Sequence, residues 1–133
     1  MADMAGGEER TIYILDDDAS VRKALVRLFR SAGMAAKSFA SVDALLSAPM
    51  LTQCACIVAD IRMQGTSGLA MPGLLAEGGL HTPVIFVSAQ DTEETRAAAK
   101  RAGAAGFFRK PVDDQALLDA LAWAIGDTHK NHA

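Results

Sequence analysis

The stretch Cys56-Ile57-Val58-Ala59-Asp60-Ile61-Arg62-Met63 is an apolar run that leads into a carboxylate, and a polar segment with two glycines, 64–68, follows it. A short apolar run bounded by turn residues predicts a β-strand that is buried on both faces. Asp60 lies where this strand ends. In open parallel sheets, ligands bind beyond the carboxyl ends of the strands, so a functional carboxylate is well placed there. Asp60 could instead cap the following turn or helix, and this stretch alone does not separate the two interpretations.

The composition is typical of one globular domain. The chain has 133 residues, of which 50% are apolar and 22% are charged, and its formal net charge is −3. No apolar run approaches the ~20 residues that cross a bilayer, and the N-terminus does not resemble a signal peptide. No lysine and arginine cluster marks the sequence, so neither membrane association nor direct nucleic-acid binding is expected. Cys54 and Cys56 lack the further ligands of a zinc site; we expect Cys56 in the core and Cys54 flanking the strand, in a reducing cytoplasm.

Strand and helix patterns alternate along the chain. Strands are predicted over 11–15, 35–39, 56–60, 83–88 and 106–108. A helix is predicted after each strand, and these helices end at about residues 32, 46, 77, 102 and 125. Residues 1–9 and 127–133 are predicted to be tails around a domain that spans 10–126. This rhythm predicts repeated βαβ units, and hence a parallel five-stranded sheet covered by helices on both faces.

Three helix ends carry local signals. Residues 91–94 read Asp-Thr-Glu-Glu, which is the spacing of a capping box. Asp113 or Asp114 is a candidate cap for the last helix. An interior proline costs a helix about 3 kcal/mol, so Pro72 predicts a third helix that either starts late, near Met71, or is bent.

Four predicted strands end in reactive or polar side chains: Asp16 and Asp17, Asp60, Ser88, and Lys110. In a parallel sheet these ends lie at one edge, so we expect the side chains to converge. Two charges ~4 Å apart repel by about 4 kcal/mol at an effective dielectric of 20, which favours a compensating hard cation such as Mg²⁺. A lysine ammonium suits a phosphoryl oxygen. Together these groups predict phosphoryl transfer to a carboxylate.

From about residue 10 to residue 126 the chain resembles the receiver domain of two-component response regulators. The resemblance rests on motifs at the strand ends and in the loop after the third strand: Ile14-Leu15-Asp16-Asp17-Asp18, Ala59-Asp60-Ile61-Arg62-Met63, Ser67-Gly68, Val87-Ser88-Ala89 and Phe107-Phe108-Arg109-Lys110-Pro111. It implies a flavodoxin-like (βα)₅ fold, doubly wound, with strand order 2-1-3-4-5. The segment around Asp60 is most similar to receivers of the nitrogen-fixation type.

The resemblance also implies roles for individual residues. Asp60 would be the phosphoacceptor and would share Mg²⁺ with Asp17 directly, with Asp16 through water, and with the backbone carbonyl of Arg62. Lys110 would pair with the acceptor and then with the phosphoryl group.

The remaining implied roles concern switching. Ser88 would move its hydroxyl to a phosphoryl oxygen and Phe107 would turn inward, while Arg62, Ala89 and Gln90 would modulate the lifetime of the phosphoryl group. The surface of the fourth helix, fifth strand and fifth helix would be the output face and a candidate homodimer interface.

The expected function is therefore a bacterial phosphorelay module that accepts a phosphoryl group from a sensor histidine kinase or phosphotransfer protein. It would catalyse only its own phosphorylation and dephosphorylation, and would act on a downstream protein or on an output domain outside this chain. Two alternatives stay open. One is a pseudo-receiver that binds partners without phosphorylation. The other is a haloacid-dehalogenase-like phosphatase, in which Asp16 would be the nucleophile and Asp18 the acid/base.

The chain departs from the receiver pattern at two places. Gln64-Gly65 replaces the usual proline and its following residue after Met63, which predicts a more mobile loop beyond Asp60. Pro72 disturbs the third helix. Neither departure removes a chemical group from the expected site.

Overall fold

The computed structural model describes residues 11–130 and has one five-stranded parallel sheet. Its strands are β1 (Thr11–Leu15), β2 (Ala35–Phe39), β3 (Cys54–Asp60), β4 (Val84–Ser88) and β5 (Gly106–Arg109). They lie in the order β2-β1-β3-β4-β5, and every neighbouring pair is parallel. The flavodoxin-like fold with strand order 2-1-3-4-5 is thereby confirmed.

Five α-helices connect or follow these strands: α1 (Ala19–Ser31), α2 (Val42–Leu46), α3 (Met71–Glu77), α4 (Glu93–Arg101) and α5 (Asp114–Lys130). Two short 3₁₀ turns, Leu51–Gln53 and Gly68–Ala70, precede β3 and α3. Among residues 11–130, no helix is both long enough and apolar enough to cross a membrane.

The sheet separates two hydrophobic layers, because successive residues of a strand point to opposite faces. Cys56 and Val58 of β3 pack in the layer that contains the apolar faces of α1 and α5. Ile57 and Ala59 pack in the other layer, with the apolar residues of α2, α3 and α4. Since β3 is the central strand and faces both layers, its apolar run is continuous rather than alternating.

The helix ends follow local chemistry, with two corrections to the sequence prediction. The cap of α4 is Thr92, whose hydroxyl accepts from the Thr95 amide, and not the Asp91 end of a capping box. Asp91 instead forms an ion pair with Arg96 one turn into the helix. A carboxylate drawn to a guanidinium leaves the neighbouring threonine to cap the helix.

Helix α5 was predicted to end at about residue 125, just before Gly126, but the helix continues through Lys130. A glycine inside a helix costs only about 1 kcal/mol relative to alanine, so it does not by itself stop a helix. Residues 127–130 of the predicted C-terminal tail are therefore helical. Residues 1–9 and 131–133 of the predicted tails lie outside the described residues.

Two other sequence interpretations are confirmed. Helix α3 starts at Met71 with Pro72 in its first turn, where the missing amide hydrogen breaks no helical bond. Asp113 caps α5, because its carboxylate accepts from the Ala116 amide. Both cysteines are free and buried; Cys56 lies in the core as expected, whereas Cys54, which was expected to flank the strand, is the first residue of β3. Burial raises the pKa of the Cys54 thiol to about 12.

Candidate phosphoacceptor site

The strand register brings Asp16 and Asp60 to the same edge of the sheet. Leu15 pairs with Ala59 in adjacent strands, so the residues that follow them, Asp16 and Asp60, are neighbours across β1 and β3. The Asp16 amide donates to the carbonyl of Phe39 in β2 at 3.1 Å, which extends the β-ladder past the end of β1. Backbone pairing between strands therefore fixes the backbone positions of both Asp16 and Asp60.

Lys110 joins these two carboxylates. Its Nζ lies 2.9 Å from Asp16 Oδ2 and 3.0 Å from Asp60 Oδ2, although 94 and 50 residues of sequence separate the partners. Asp16 is 1% exposed and Asp60 is 7% exposed, so both acids are largely removed from water. The Lys110 amide donates to the Ser88 carbonyl at 2.8 Å, which anchors the lysine backbone to the end of β4. The ammonium is the group that compensates two buried negative charges.

Asp17 completes a cluster of three carboxylates. One oxygen each from Asp16, Asp17 and Asp60 lie within 4.8 Å of one another. Asp17 is exposed, and its Oδ2 accepts from the Gln64 amide at 3.2 Å. The cluster holds three formal negative charges against the single charge of Lys110, and its donors are all oxygen. This donor set fits a hard divalent cation such as Mg²⁺ or Ca²⁺ and does not resemble a zinc site.

Asp60 and Lys110 have shifted pKa values. Burial raises the pKa of the Asp60 carboxyl; the hydrogen bond and charge of Lys110 oppose this, and the charge of Asp16 adds to it. Burial alone would lower the pKa of Lys110, but its bonds to Asp16 and Asp60 outweigh that effect and raise it. The two acids therefore favour the charged form of Lys110, whereas burial disfavours the charged form of Asp60.

Asp60 has further partners on its own loop. The Arg62 amide donates to Asp60 Oδ1 at 3.2 Å, so the two carboxylate oxygens accept from different groups. The Arg62 side chain itself is exposed. Oδ1 is thus held by the backbone and Oδ2 by Lys110.

Ser88 lies at the same edge, at the end of β4, and is completely buried. Its hydroxyl accepts from the Gln90 amide at 3.0 Å, which closes a tight turn over the exposed residues Ala89 and Gln90. In this structure the hydroxyl is engaged with its own loop. No bond joins it to Asp60 or Lys110 among the contacts of residues 11–130.

Phe107 lies in β5 and is half-buried against the layer that contains α4. The guanidinium of Arg96 stands over its ring, 4.9 Å from the centroid. Because Asp91 holds the same guanidinium, the β4–α4 loop, helix α4 and the ring are linked. Sequence reasoning did not identify Arg96, since a lone arginine on a helix gives no signal for a contact with another strand.

Gly68 is a second residue whose importance appears only in the structure. A Cβ atom built on Gly68 would lie 2.0 Å from the carbonyl oxygen of Asp60, so no other residue fits without moving the backbone of Asp60. The Gly68 amide and the Ser67 hydroxyl both donate to the Ile61 carbonyl, at 3.1 and 3.0 Å. The Ser67-Gly68 motif was visible in the sequence, but its contact with Asp60 was not.

Asp18, the last member of the acidic triplet, has a structural position. Its Oδ1 accepts from the amides of Ser20 and Val21 and caps α1. Its own amide donates to Asp16 Oδ1 at 2.9 Å. The match to the phosphatase pattern at residues 16–20 is thus explained by an N-cap at the start of α1.

Comparisons with known proteins show the family to which the chain is similar. The family described as "Response regulator receiver domain" matches residues 12–122. The transcriptional regulatory protein TdiR of Thauera aromatica is 38% identical over 119 residues, which are 90% of this chain and 52% of TdiR. FixJ of Azorhizobium caulinodans is 35% identical over 119 residues, which are 90% of this chain and 56% of FixJ, and this likeness confirms the expected relation to the nitrogen-fixation type.

The crystal structure of FixJ-N superposes with a TM-score of 0.80 at 29% identity, covering 89% of this chain and 94% of that one. The chain spans about half the length of the curated relatives that it matches. With the matched region covering nearly all of the described sheet and helices, this chain belongs to the response regulator receiver domain family.

Proposed function

We propose that this receiver domain accepts a phosphoryl group on Asp60 from the phosphohistidine of a bacterial sensor histidine kinase or of a phosphotransfer protein. The observation that supports this most strongly is the Lys110 ammonium bonded to both Asp16 and Asp60 beside a cluster of three carboxylates. An ion pair with a purely structural role would balance one carboxylate against one cation. Here three carboxylates share one lysine, and the excess negative charge lies beside Asp60, at the edge where parallel sheets bind ligands.

In the proposed reaction, an Asp60 oxygen attacks the phosphorus atom in line with the phosphorus–nitrogen bond of the donor histidine. The oxygen–phosphorus bond forms as the phosphorus–nitrogen bond breaks, and the electron pair leaves with the imidazole nitrogen. The product is an acyl phosphate on Asp60 and a free histidine on the kinase. Transition states of this kind need positioning and charge neutralisation more than covalent help from the protein.

Lys110 supplies part of that neutralisation. Its ammonium already contacts Asp60 Oδ2 and is positioned to follow the negative charge onto a phosphoryl oxygen. The backbone amide of Arg62 holds Oδ1 and so limits rotation of the acceptor. Asp16, Asp17, Asp60 and the Arg62 carbonyl would hold Mg²⁺, which when bound neutralises charge on the phosphoryl oxygens and on the acids.

The phosphorylated state would be read out through Ser88 and Phe107. We propose that the Ser88 hydroxyl leaves the Gln90 amide for a phosphoryl oxygen, and that Phe107 moves inward in response. Such a change is a population shift between two conformers, so its extent depends on the differential contacts in each. Arg62, Ala89 and Gln90 flank the acceptor and would control access of water, and hence the lifetime of the phosphoryl group.

The output would pass through the face of α4, β5 and α5, either to a downstream protein, to a second copy of the chain, or to an output domain like those implied by the greater length of the relatives. We place this activity in residues 10–126 and in the cytoplasm, where histidine kinases present their phosphohistidine. The domain would have no turnover beyond its own phosphorylation and dephosphorylation.

The test is incubation with Mg²⁺ and acetyl phosphate, followed by intact-mass measurement. The wild-type chain should gain one phosphate, Asp60→Asn should gain none, and Asp43→Asn, at an exposed position in α2, should behave as the wild type. Omission of Mg²⁺ should abolish labelling.

Three results would contradict the proposal. Phosphate on Asp60→Asn would remove Asp60 from the acceptor role. No labelling of the wild type, combined with no Mg²⁺-dependent change in melting temperature, would identify a pseudo-receiver. Turnover of a phosphate ester that depends on Asp18 but not on Asp60 would identify a phosphatase.

A further inference from the structure

A basic groove lies between α1 and β2, at the β2 edge of the sheet. Its volume is about 770 Å³, and its lining includes four cationic side chains: Lys23, Arg27, Arg30 and Lys37. Val26, Ala36, Ser38 and Phe39 form the rest of the lining. The described lining thus contains four positive charges and no carboxylate.

This concentration of charge contrasts with the chain as a whole. The formal net charge is −3, and because the groove residues contribute +4, the rest of the chain carries −7. The sequence predicted no basic cluster, and that expectation is corrected here. It failed because three cations lie on α1, spaced along the helix, and the fourth lies on β2, so only the fold brings them together.

The strand beneath the groove has an unoccupied side. In the described sheet, β2 is one of the two edge strands and pairs only with β1. Alternate residues of a parallel strand direct their backbone groups to opposite neighbours. The Phe39 carbonyl bonds to the Asp16 amide on the β1 side, so the backbone groups of Ala36 and Ser38 face the open edge.

The cations are placed on both sides of that edge. Arg30 reaches the edge itself, where its Nη2 donates to the Ala36 carbonyl at 3.3 Å. Ala36 packs in the layer of α1, and Lys37, one residue later, points to the opposite face of the sheet. A polypeptide lying along β2 would therefore meet positive charge above and below its backbone.

We propose that this groove binds an extended acidic segment of a partner protein, which adds to the sheet as a sixth strand beside β2. Backbone hydrogen bonds to Ser38 and to the Ala36 amide would provide affinity, the Ala36 carbonyl already accepting from Arg30, and the four cations would select carboxylates. The site is independent of phosphorylation and of the proposed acceptor chemistry.

A nuclear magnetic resonance titration tests this proposal. The probe is a ten-residue peptide of alternating glutamate and valine, added to uniformly ¹⁵N-labelled wild-type chain at low salt. Amide shifts should be confined to residues 23–39, and affinity should fall as NaCl is raised. The double variant Arg27→Glu/Lys37→Glu should bind at least tenfold more weakly. The matched variant Lys100→Glu/Arg101→Glu, with both changes at exposed positions of α4, should bind as the wild type.

Two further probes separate strand addition from charge alone. A peptide with proline in place of valine has the same charge but cannot pair as a strand, and it should bind at least tenfold more weakly. Should the charge-reversed double variant not fold, Arg27→Gln/Lys37→Gln is used, with an expected loss of about threefold. Equal binding of the proline peptide, shifts outside the groove, or tighter binding of a single-stranded oligonucleotide would each overturn the proposal. So would the absence of peptide binding at millimolar concentration, which would leave the cations as guards against edge-to-edge association.

Discussion

Replacing Lys110 by methionine should destabilise the metal-free protein strongly, and Mg²⁺ should reverse much of that loss. Methionine keeps most of the unbranched apolar part of the side chain and removes its charge, so two buried carboxylates lose their shared cation. Their oxygens lie within 4.8 Å of each other, where the repulsion is about 3.5 kcal/mol at an effective dielectric of 20. Removing one partner of a buried ion pair costs about 3–5 kcal/mol in general, so we expect a loss of about 3–4 kcal/mol.

Urea unfolding with EDTA at neutral pH measures this loss. Adding millimolar Mg²⁺ should reduce the difference from wild type, because a divalent cation replaces the missing charge. Acidification should also reduce it. Burial already raises the pKa of Asp60, and losing Lys110 raises it further, so the variant regains stability as pH falls through that pKa and the charge is removed.

The control is Lys100→Met, which removes an exposed lysine of α4 and should change stability by less than about 1 kcal/mol. A Lys110→Met protein within 1 kcal/mol of wild type in EDTA would refute the electrostatic reasoning. A large loss that is insensitive to both Mg²⁺ and pH would do the same, since it would show that packing and not charge is responsible.

Three other changes have defined outcomes. In urea melts with EDTA at pH 7, Asp60→Asn should be more stable than wild type, since a raised pKa means that ionisation of Asp60 opposes folding. This difference in stability should vanish below about pH 4, where Asp60 is protonated in both the folded and the unfolded chain. Gly68→Ala should lower the free energy of unfolding by about 2–3 kcal/mol, because its Cβ would meet the Asp60 carbonyl. The control Gly73→Ala, whose Cβ meets nothing within 4 Å, should raise it by about 0.5–1 kcal/mol in the same urea melts. Arg96→Ala should tighten binding of the phosphoryl analogue beryllium fluoride about two- to fivefold if Phe107 moves on phosphorylation. The reason is that an exposed cation–π contact of about 0.5–1 kcal/mol no longer holds the Phe107 ring. Unchanged affinity by calorimetry would exclude Arg96 from the switch.

Most of the fold was predictable from the sequence because the central strands are buried and the strands end at strong turn signals. Strand β3 was recognisable because it faces both layers and therefore shows an unbroken apolar run. The start of α3 followed from the geometry of proline, which restricts the residue to the first turn of a helix. In each case one local physical constraint was strong enough to decide the structure.

Local reasoning failed where two interactions competed. At the start of α4, Asp91 is the first candidate cap in the sequence, but Arg96 attracts it and Thr92 takes its place. At Gly126 a helix-breaking residue was overridden by the continuation of α5. Such outcomes depend on side chains one turn away or on packing, and a pattern read residue by residue does not contain them.

At the candidate site, residue types were predictable and exact contacts were not. The rule that parallel strand ends share an edge was enough to place Asp16, Asp60 and Lys110 together. It did not predict that the lysine would bridge both acids, since that depends on the stagger between β1, β3 and β5. The close approach of Gly68 to the Asp60 carbonyl depends on how the intervening loop folds back.

The same loop has a mechanical consequence. Its start is tethered where the Gln64 amide bonds to Asp17, and its far end is tethered where Gly68 and Ser67 bond to the Ile61 carbonyl. Only residues 65 and 66 lie between these two bonded positions, so little of the loop can move independently of them. Moving this loop away from the carboxylate cluster must therefore break one of these bonds, and the single bond to the exposed Asp17 carboxylate is the one for which a bound cation would compete.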